Sequence, residues 1–199
     1  MHAYSISNRS RLTIIFWIAL ASVMLSSLVN AFLSRLALLG PITTSAVFFG
    51  LFFVVDRFAW RCRGIASLFA TPDLSGEWDI KGKTSGADNV EREWFGEATI
   101  TQNWTTISIV LETSGSISES KVAGMKLRAG RGGSIVYSYE NMRKQSEDSL
   151  TDHRGTCELH FEKCNAYAKA YCFNDRSRKT IGEMTWIKKQ PIAKDRDNA

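Results

Sequence analysis

Two tyrosines and an asparagine alternate in the stretch YSYEN, at Tyr137, Tyr139 and Asn141. Alternate side chains of a β-strand point the same way, so this spacing puts two aromatic faces and an amide on one side of one strand. Aromatic faces stack on flat rings, and an amide both donates and accepts hydrogen bonds. Further on, AYCFNDRSRKT gathers Tyr171, Arg176, Arg178 and Thr180 around a turn. A guanidinium fork grips a phosphate through two parallel bonds, which lysine does not match. His153 beside Arg154 in DHRG adds donors, and Trp104 stands at a strand end in QNWTT. Each feature has a plainer reading: tyrosines filling a core, a tryptophan capping a strand end, solvated arginines, and a histidine satisfied by Asp152.

Other chemistries find little support. The chain has no P-loop, no GxSxG and no HExxH. Asp148, Asp152 and His153 share one Ser/Asp-rich loop, SEDSLTD, and no second cluster offers the convergence that catalysis or metal binding needs. We therefore expect no enzyme activity, no cofactor and no metal site. Cys62, Cys157, Cys164 and Cys172 match no paired zinc spacing and are expected as reduced thiols.

The elements that must position these residues fall into two regions of different solvent. Residues 1–70 carry six arginines and one aspartate, net +5, whereas residues 71–199 hold 19 basic and 19 acidic side chains and are balanced. The basic character belongs to the apolar region, and no basic stripe for DNA or RNA is apparent. Leu12 to Leu33 is uncharged and, at about 1.5 Å per residue, spans a ~30 Å hydrocarbon core. A second apolar run covers Leu36 to Val55, with Gly40-Pro41 at its turn. Arg9 and Arg11 precede the first run, and Arg57, Arg61 and Arg63 follow the second. That distribution predicts two membrane spans, with both termini cytoplasmic. A cleavable signal peptide ending near Ala31 and a buried helical hairpin are the alternatives. Ala19, Ser22, Ser26 and Asn30 recur along one helix face, fit either for packing within the hairpin or for an oligomer interface.

From Trp78 the pattern switches to period two. It predicts eight strands, near Gly76–Thr84, Glu93–Asn103, Thr105–Thr113, Ser116–Leu127, Gly133–Asn141, Gly155–Glu162, Tyr167–Phe173 and Thr180–Lys188. No helical pattern between them supplies a crossover. The expected fold is an all-β, eight-stranded antiparallel up-and-down barrel, lipocalin-like, behind an α-helical two-transmembrane hairpin. A two-sheet sandwich is the alternative. Residues 1–70 form the membrane part, 71–190 the barrel, and 191–199 a disordered tail.

The membrane hairpin, together with LSGEW, ITQNWTTISIVLETSGSIS, YSYEN, DHRGTCELHF and AYCFNDRSRKTIGEMTW in that order, resembles the membrane effectors of CBASS, the bacterial cyclic-oligonucleotide antiphage systems. Within them it is similar to the CD-NTase-associated two-transmembrane β-barrel type, over almost the whole chain. The resemblance implies a barrel that binds a cyclic dinucleotide made by a cGAS-like nucleotidyltransferase. It also implies homo-oligomerisation on activation, disruption of the lipid bilayer of the bacterial inner membrane, where the chain would reside, and abortive infection. Under it, Trp104, Tyr137, Tyr139, Asn141, His153, Tyr171, Arg176, Arg178 and Thr180 are the candidate ligand contacts. A tethered carrier for a lipid or other apolar ligand, and a scaffold with a filled core, are the rival readings.

Overall fold

The computed structural model describes residues 1–6, 10–36, 41–62, 69, 71–86, 90–128, 132–144, 153–162, 165–174 and 180–189. It divides into two compact units. One holds residues 8–73 and 103–105, the other residues 1–7, 74–102 and 106–199.

In the helical unit, α1 runs from Ser10 to Leu36 and α2 from Thr44 to Arg57, followed by a 3-10 turn at Ala59–Arg61. Helix α1 is apolar all round, and Phe16, Trp17, Met24, Leu28 and Phe32 stand exposed, which suits lipid rather than water. Among the described residues it is the one helix long and apolar enough to cross a membrane. The expected second span is shorter than the apolar run. At 14 residues α2 reaches only ~21 Å, less than a ~30 Å core. The cause is local. Asn30 holds both backbone groups of Ile42, its Nδ2 donating to the carbonyl (2.9 Å) and its Oδ1 accepting from the N–H (2.8 Å). Thr43 then caps α2 by accepting from Ala46 N (3.2 Å).

The four small or polar residues expected on one α1 face have different surroundings. Ser22 is buried and donates to Ile18 O, and Ser26 is buried and meets Thr44 Oγ1 at 2.9 Å. Asn30 fixes Ile42, and Ala19 is exposed.

The other unit is a closed barrel of nine strands. They are β1 (His2–Ile6), β2 (Gly76–Ser85), β3 (Glu91–Gln102), β4 (Thr106–Thr113), β5 (Ser116–Arg128), β6 (Gly132–Arg143), β7 (His153–Phe161), β8 (Tyr167–Asn174) and β9 (Ile181–Lys188). Strands β2 to β9 form an antiparallel meander, and β9 returns to β2. The ninth strand corrects the expected eight. The N-terminal residues HAYSI insert between β4 and β5, antiparallel to the first and parallel to the second.

Alternation sends Leu74, Trp78, Ile80, Ile100, Ile107, Ile135, Leu159, Phe161, Ala168 and Trp186 into one end of the barrel, where they form its apolar core. Trp78 and Trp186 meet edge to face at 6.2 Å, and Trp78 Nε1 donates to Leu74 O at 3.0 Å. Gln102 satisfies the buried Leu74 N–H (2.9 Å) and donates to the Tyr4 hydroxyl (3.1 Å). The reduced thiols expected from the sequence are also corrected in part. Cys157 and Cys172 stand directly opposite on β7 and β8, with Cα atoms 4.1 Å apart, and form a disulfide. Cys62 is free and exposed, and Cys164 lies outside the described residues.

Candidate functional site

At the end of the barrel away from Trp78 the inward-facing side chains become mixed, with Asn141, Ser116 and Ser118 beside Leu111 and Met184, and stop filling the interior. They leave a cavity of about 770 Å³, a size ordinary for a small-ligand site. Strand β6 supplies Tyr137, Tyr139 and Asn141; β7 supplies His153; Thr180 precedes β9. The structure thus brings together five of the nine candidate contacts.

Asn141 is buried, and its amide donates to Ser116 Oγ (3.0 Å) and Ser118 Oγ (2.7 Å) of β5. The Tyr139 hydroxyl donates to Asn174 Oδ1 (2.6 Å), and the Asn174 amide reaches Thr180 Oγ1. Tyr137 and Tyr139 lie with ring centres 6.2 Å apart, and Tyr139 sits edge-on to His153 at 6.5 Å. Burial, with Tyr139 adding a smaller push, raises the Tyr137 phenol far above its ordinary value, so it stays a neutral hydroxyl at physiological pH.

Two described candidates are elsewhere. Tyr171 points outward between Glu158 and Glu183 and packs edge-on against His160 at 6.1 Å; Cys172, one residue on, takes the inward place. Trp104 belongs to the helical unit, where Phe52 and Phe69 pack against it with ring centres at 6.2 and 5.5 Å. Arg11 donates to its carbonyl, and Asp56 accepts from Thr105 N (2.9 Å) and Oγ1 (2.7 Å). Arg176 and Arg178 lie outside the described residues.

Several lining residues escape the sequence reading, chief among them Trp94, Arg92, Ser116, Ser118 and Asn174. Trp94 matters most. Its indole donates to Thr84 Oγ1 at 2.8 Å and lies flat over its register partner Gly82, where a Cβ would overlap the ring. Tyr139 rests on its own partner Gly155 in the same way: a Cβ there would sit 2.5 Å from the ring and hydroxyl. Each of these two cavity aromatics is thus paired with a glycine that leaves room for it against the wall. The alternation Arg92, Trp94, Gly96, Ala98, Ile100 is the available signal for Trp94. The neighbouring Glu93 faces out to Lys81 (3.3 Å) and Lys83 (3.2 Å), and hydrogen bonds from Lys83 and then Lys81 hold its carboxyl below the usual range. Among the described residues, no group of three or more His, Cys, Asp or Glu is placed to hold a metal.

A family model described as the Cap15 cyclic dinucleotide receptor domain matches residues 69–188, and one described as the Cap15 TM helices matches residues 13–61. The chain is 31% identical over 144 residues to CD-NTase-associated protein 15 of Yersinia aleksiciae, an alignment covering 72% of this chain and 68% of that protein. The chain belongs to the Cap15-like family of CBASS effectors, antiphage proteins with a cyclic dinucleotide receptor domain and a transmembrane region.

Proposed function

We propose that this chain is a membrane-anchored CBASS effector whose barrel cavity takes a cyclic dinucleotide made by a cGAS-like nucleotidyltransferase. Loading drives homo-oligomerisation in the inner membrane, and the assembly disrupts the bilayer and ends the infection with the cell. Both termini are cytoplasmic, so the barrel meets its ligand where the nucleotidyltransferase works. The observation that carries this reading is the pair of glycine-backed aromatics, Trp94 and Tyr139, in a cavity with a polar rim, inside residues matched by the receptor model.

A cyclic dinucleotide presents two flat bases and two phosphates on a closed ring. Trp94 and Tyr139 offer stacking faces worth ~1–3 kcal/mol per base. Asn141, Ser116, Ser118 and Thr180 offer neutral polar contacts, and Arg92 supplies a cation at the rim. Arg176 and Arg178 precede Thr180 in sequence and are further phosphate donors in this reading. A carrier of apolar ligands would call for a wholly apolar cavity, and a filled-core scaffold for none; the lining described above favours neither.

The test uses the full chain in lipid vesicles loaded with a self-quenched dye. A panel of cyclic dinucleotides of adenine, guanine and uracil is added, with thermal unfolding followed in parallel. One member should raise the unfolding temperature, as a ligand of the native state must, and release dye. A panel in which none shifts unfolding at high excess refutes the assignment. A shift without dye release refutes the membrane output alone.

A further inference from the structure

The join between β4 and β5 is held differently from the rest of the wall. Every other neighbouring pair in the meander has seven or more residues in register, whereas β4 and β5 share three: Val110 with Glu119, Leu111 with Ser118, and Glu112 with Ile117. Below these the strands part, next to an irregularity in β5 between Ser120 and Val122, and β1 fills the gap. His2 and Ala3 pair with Ile107 and Thr106 of β4, and Tyr4, Ser5 and Ile6 pair with Ala123, Gly124 and Met125 of β5.

Continuing the β4–β5 register downward brings Ile107 opposite Val122 and Thr106 opposite Ala123. Thr106, Ile107 and Ala123 are partners that β1 now holds. The strand and a completed β4–β5 ladder therefore compete for the same edges, and a barrel can have one or the other. Two such packings of one wall make a bistable element.

The cavity bears on the same place. Above the gap, β4 lends Leu111 and Thr113 to the lining and β5 lends Ser116 and Ser118. The Asn141 amide ties those two serines to β6, while on the β4 side Ser116 Oγ meets Thr113 Oγ1 at 3.1 Å and Ser118 lies in register with Leu111, so the cavity lining spans the seam. At the lower limit of the ladder, Ser120 Oγ accepts from Ile109 N (2.9 Å) and meets His2 Nε2 (2.8 Å), so one hydroxyl joins β4, β5 and β1. The strand has five residues, two paired with β4 and three with β5, and so small a set of ladder contacts opens at low cost. Only residues 7–9 separate it from α1.

We propose that β1 is a strap released by ligand. In the resting chain residues 2–6 occupy the seam. A cyclic dinucleotide that contacts Thr113 of β4 together with Ser116 and Ser118 of β5 tightens the short ladder from the cavity side, the ladder extends down the seam, and β1 is expelled from it. The inference rests on the function proposed above.

The test traps the strap chemically in the full chain in nanodiscs. Ser5 and Gly124 are register partners, and a Cβ at Gly124 would lie 3.2 Å from Ser5 Oγ. Ser5→Cys with Gly124→Cys, in a Cys62→Ser background, therefore places two thiols within bonding reach. Under mild oxidation the disulfide between the two introduced thiols should form roughly tenfold more slowly with ligand bound than without, as expected when the population shifts away from the strapped state. In the unaltered chain, hydrogen exchange should show the amides of Tyr4 to Ile6 losing protection on ligand addition while those of Val110 to Glu112 keep theirs. Ligand that raises the unfolding temperature but leaves trapping and exchange of β1 unchanged, or slows that exchange, overturns the proposal. If no cyclic dinucleotide shifts unfolding, the functional reading fails and takes the strap with it.

Discussion

The substitution Gly155→Ala tests the cavity without deleting any group from it. A Cβ at this position would lie 2.5 Å from both Cζ and the hydroxyl of Tyr139, and 2.7 Å from Asn174 Oδ1. Those separations are too short for carbon against carbon or oxygen, so the ring must leave its place. Moving it breaks the 2.6 Å bond from the Tyr139 hydroxyl to Asn174, a loss of ~0.5–1.5 kcal/mol. Holding the ring off its preferred rotamer costs a similar amount. Against this, alanine restricts the unfolded chain and returns ~0.4–1 kcal/mol, because Gly155 is not among the residues with a left-handed backbone. The net loss of stability is ~0–2.5 kcal/mol, an unfolding temperature lower by up to ~10 °C for a domain of this size.

Affinity should suffer more than the fold. A displaced Tyr139 no longer stacks on a base, which costs ~1–3 kcal/mol, or roughly 5- to 150-fold in Kd. Tyr139→Phe is the control: it keeps the ring over Gly155 and removes only the hydroxyl, so its affinity should fall by no more than about tenfold. Isothermal titration of the full chain in detergent with the active cyclic dinucleotide compares the parent with these two variants and with Tyr139→Ala, which removes the ring. Parental affinity in both Gly155→Ala and Tyr139→Ala would remove the ring from the site and refute the reasoning.

Trp94→Leu should weaken the same ligand by ~1–3 kcal/mol and free the Thr84 hydroxyl that its indole now engages; equal loss in a Thr84→Val protein would assign the effect to the hydrogen bond instead. Raising pH should destabilise the barrel above about pH 10. The Tyr137 phenol keeps its proton in the fold while the unfolded chain loses it, so the native state binds more protons and stability falls by about 1.4 kcal/mol per pH unit. Chemical denaturation between about pH 8 and 11 checks the slope, which Tyr137→Phe should flatten. Asn30→Leu strips both partners from the Ile42 backbone and should loosen α1 from α2 by ~1–2 kcal/mol; slower oxidation of paired cysteines in the two helices would report it, and an unchanged rate would refute the role of Asn30.

Much of the barrel is legible in the sequence because its meander is local. Each strand of β2 to β9 pairs with the next, and period-two alternation marks which side chains face in. On β6 that is enough to place Tyr137, Tyr139 and Asn141 together. Where two aromatics or polar groups adjoin, alternation alone does not say which faces inward. Trp94 and Phe95 are neighbours, as are Tyr171 and Cys172; a one-residue change of register exchanges the members of each pair. The glycines decide: Trp94 faces in because Gly82 opposite it leaves room for an indole, a relation between positions twelve residues apart that no single strand displays. The length of α2 is hidden likewise, set by the Asn30 side chain reaching across to Ile42.

The first strand escapes a sequence reading for a different reason, and the reason bears on function. HAYSI is too short and too mixed in polarity to stand out before an apolar helix. Its partners are about 100 and 120 residues away, so closing the loop costs entropy that local pattern cannot repay. The alternation of β4 and β5 carries no notice of a strand between them. Ile107 and Ile109 alternate as though the ladder to β5 ran on, and residues 106–113 read as one strand of an eight-strand meander. The expectation of eight strands and the observation of nine therefore describe the two packings available to one seam. A local pattern that favours the closed ladder, opposed by a distant segment that holds it open, is the condition under which a ligand of modest binding energy can choose between them.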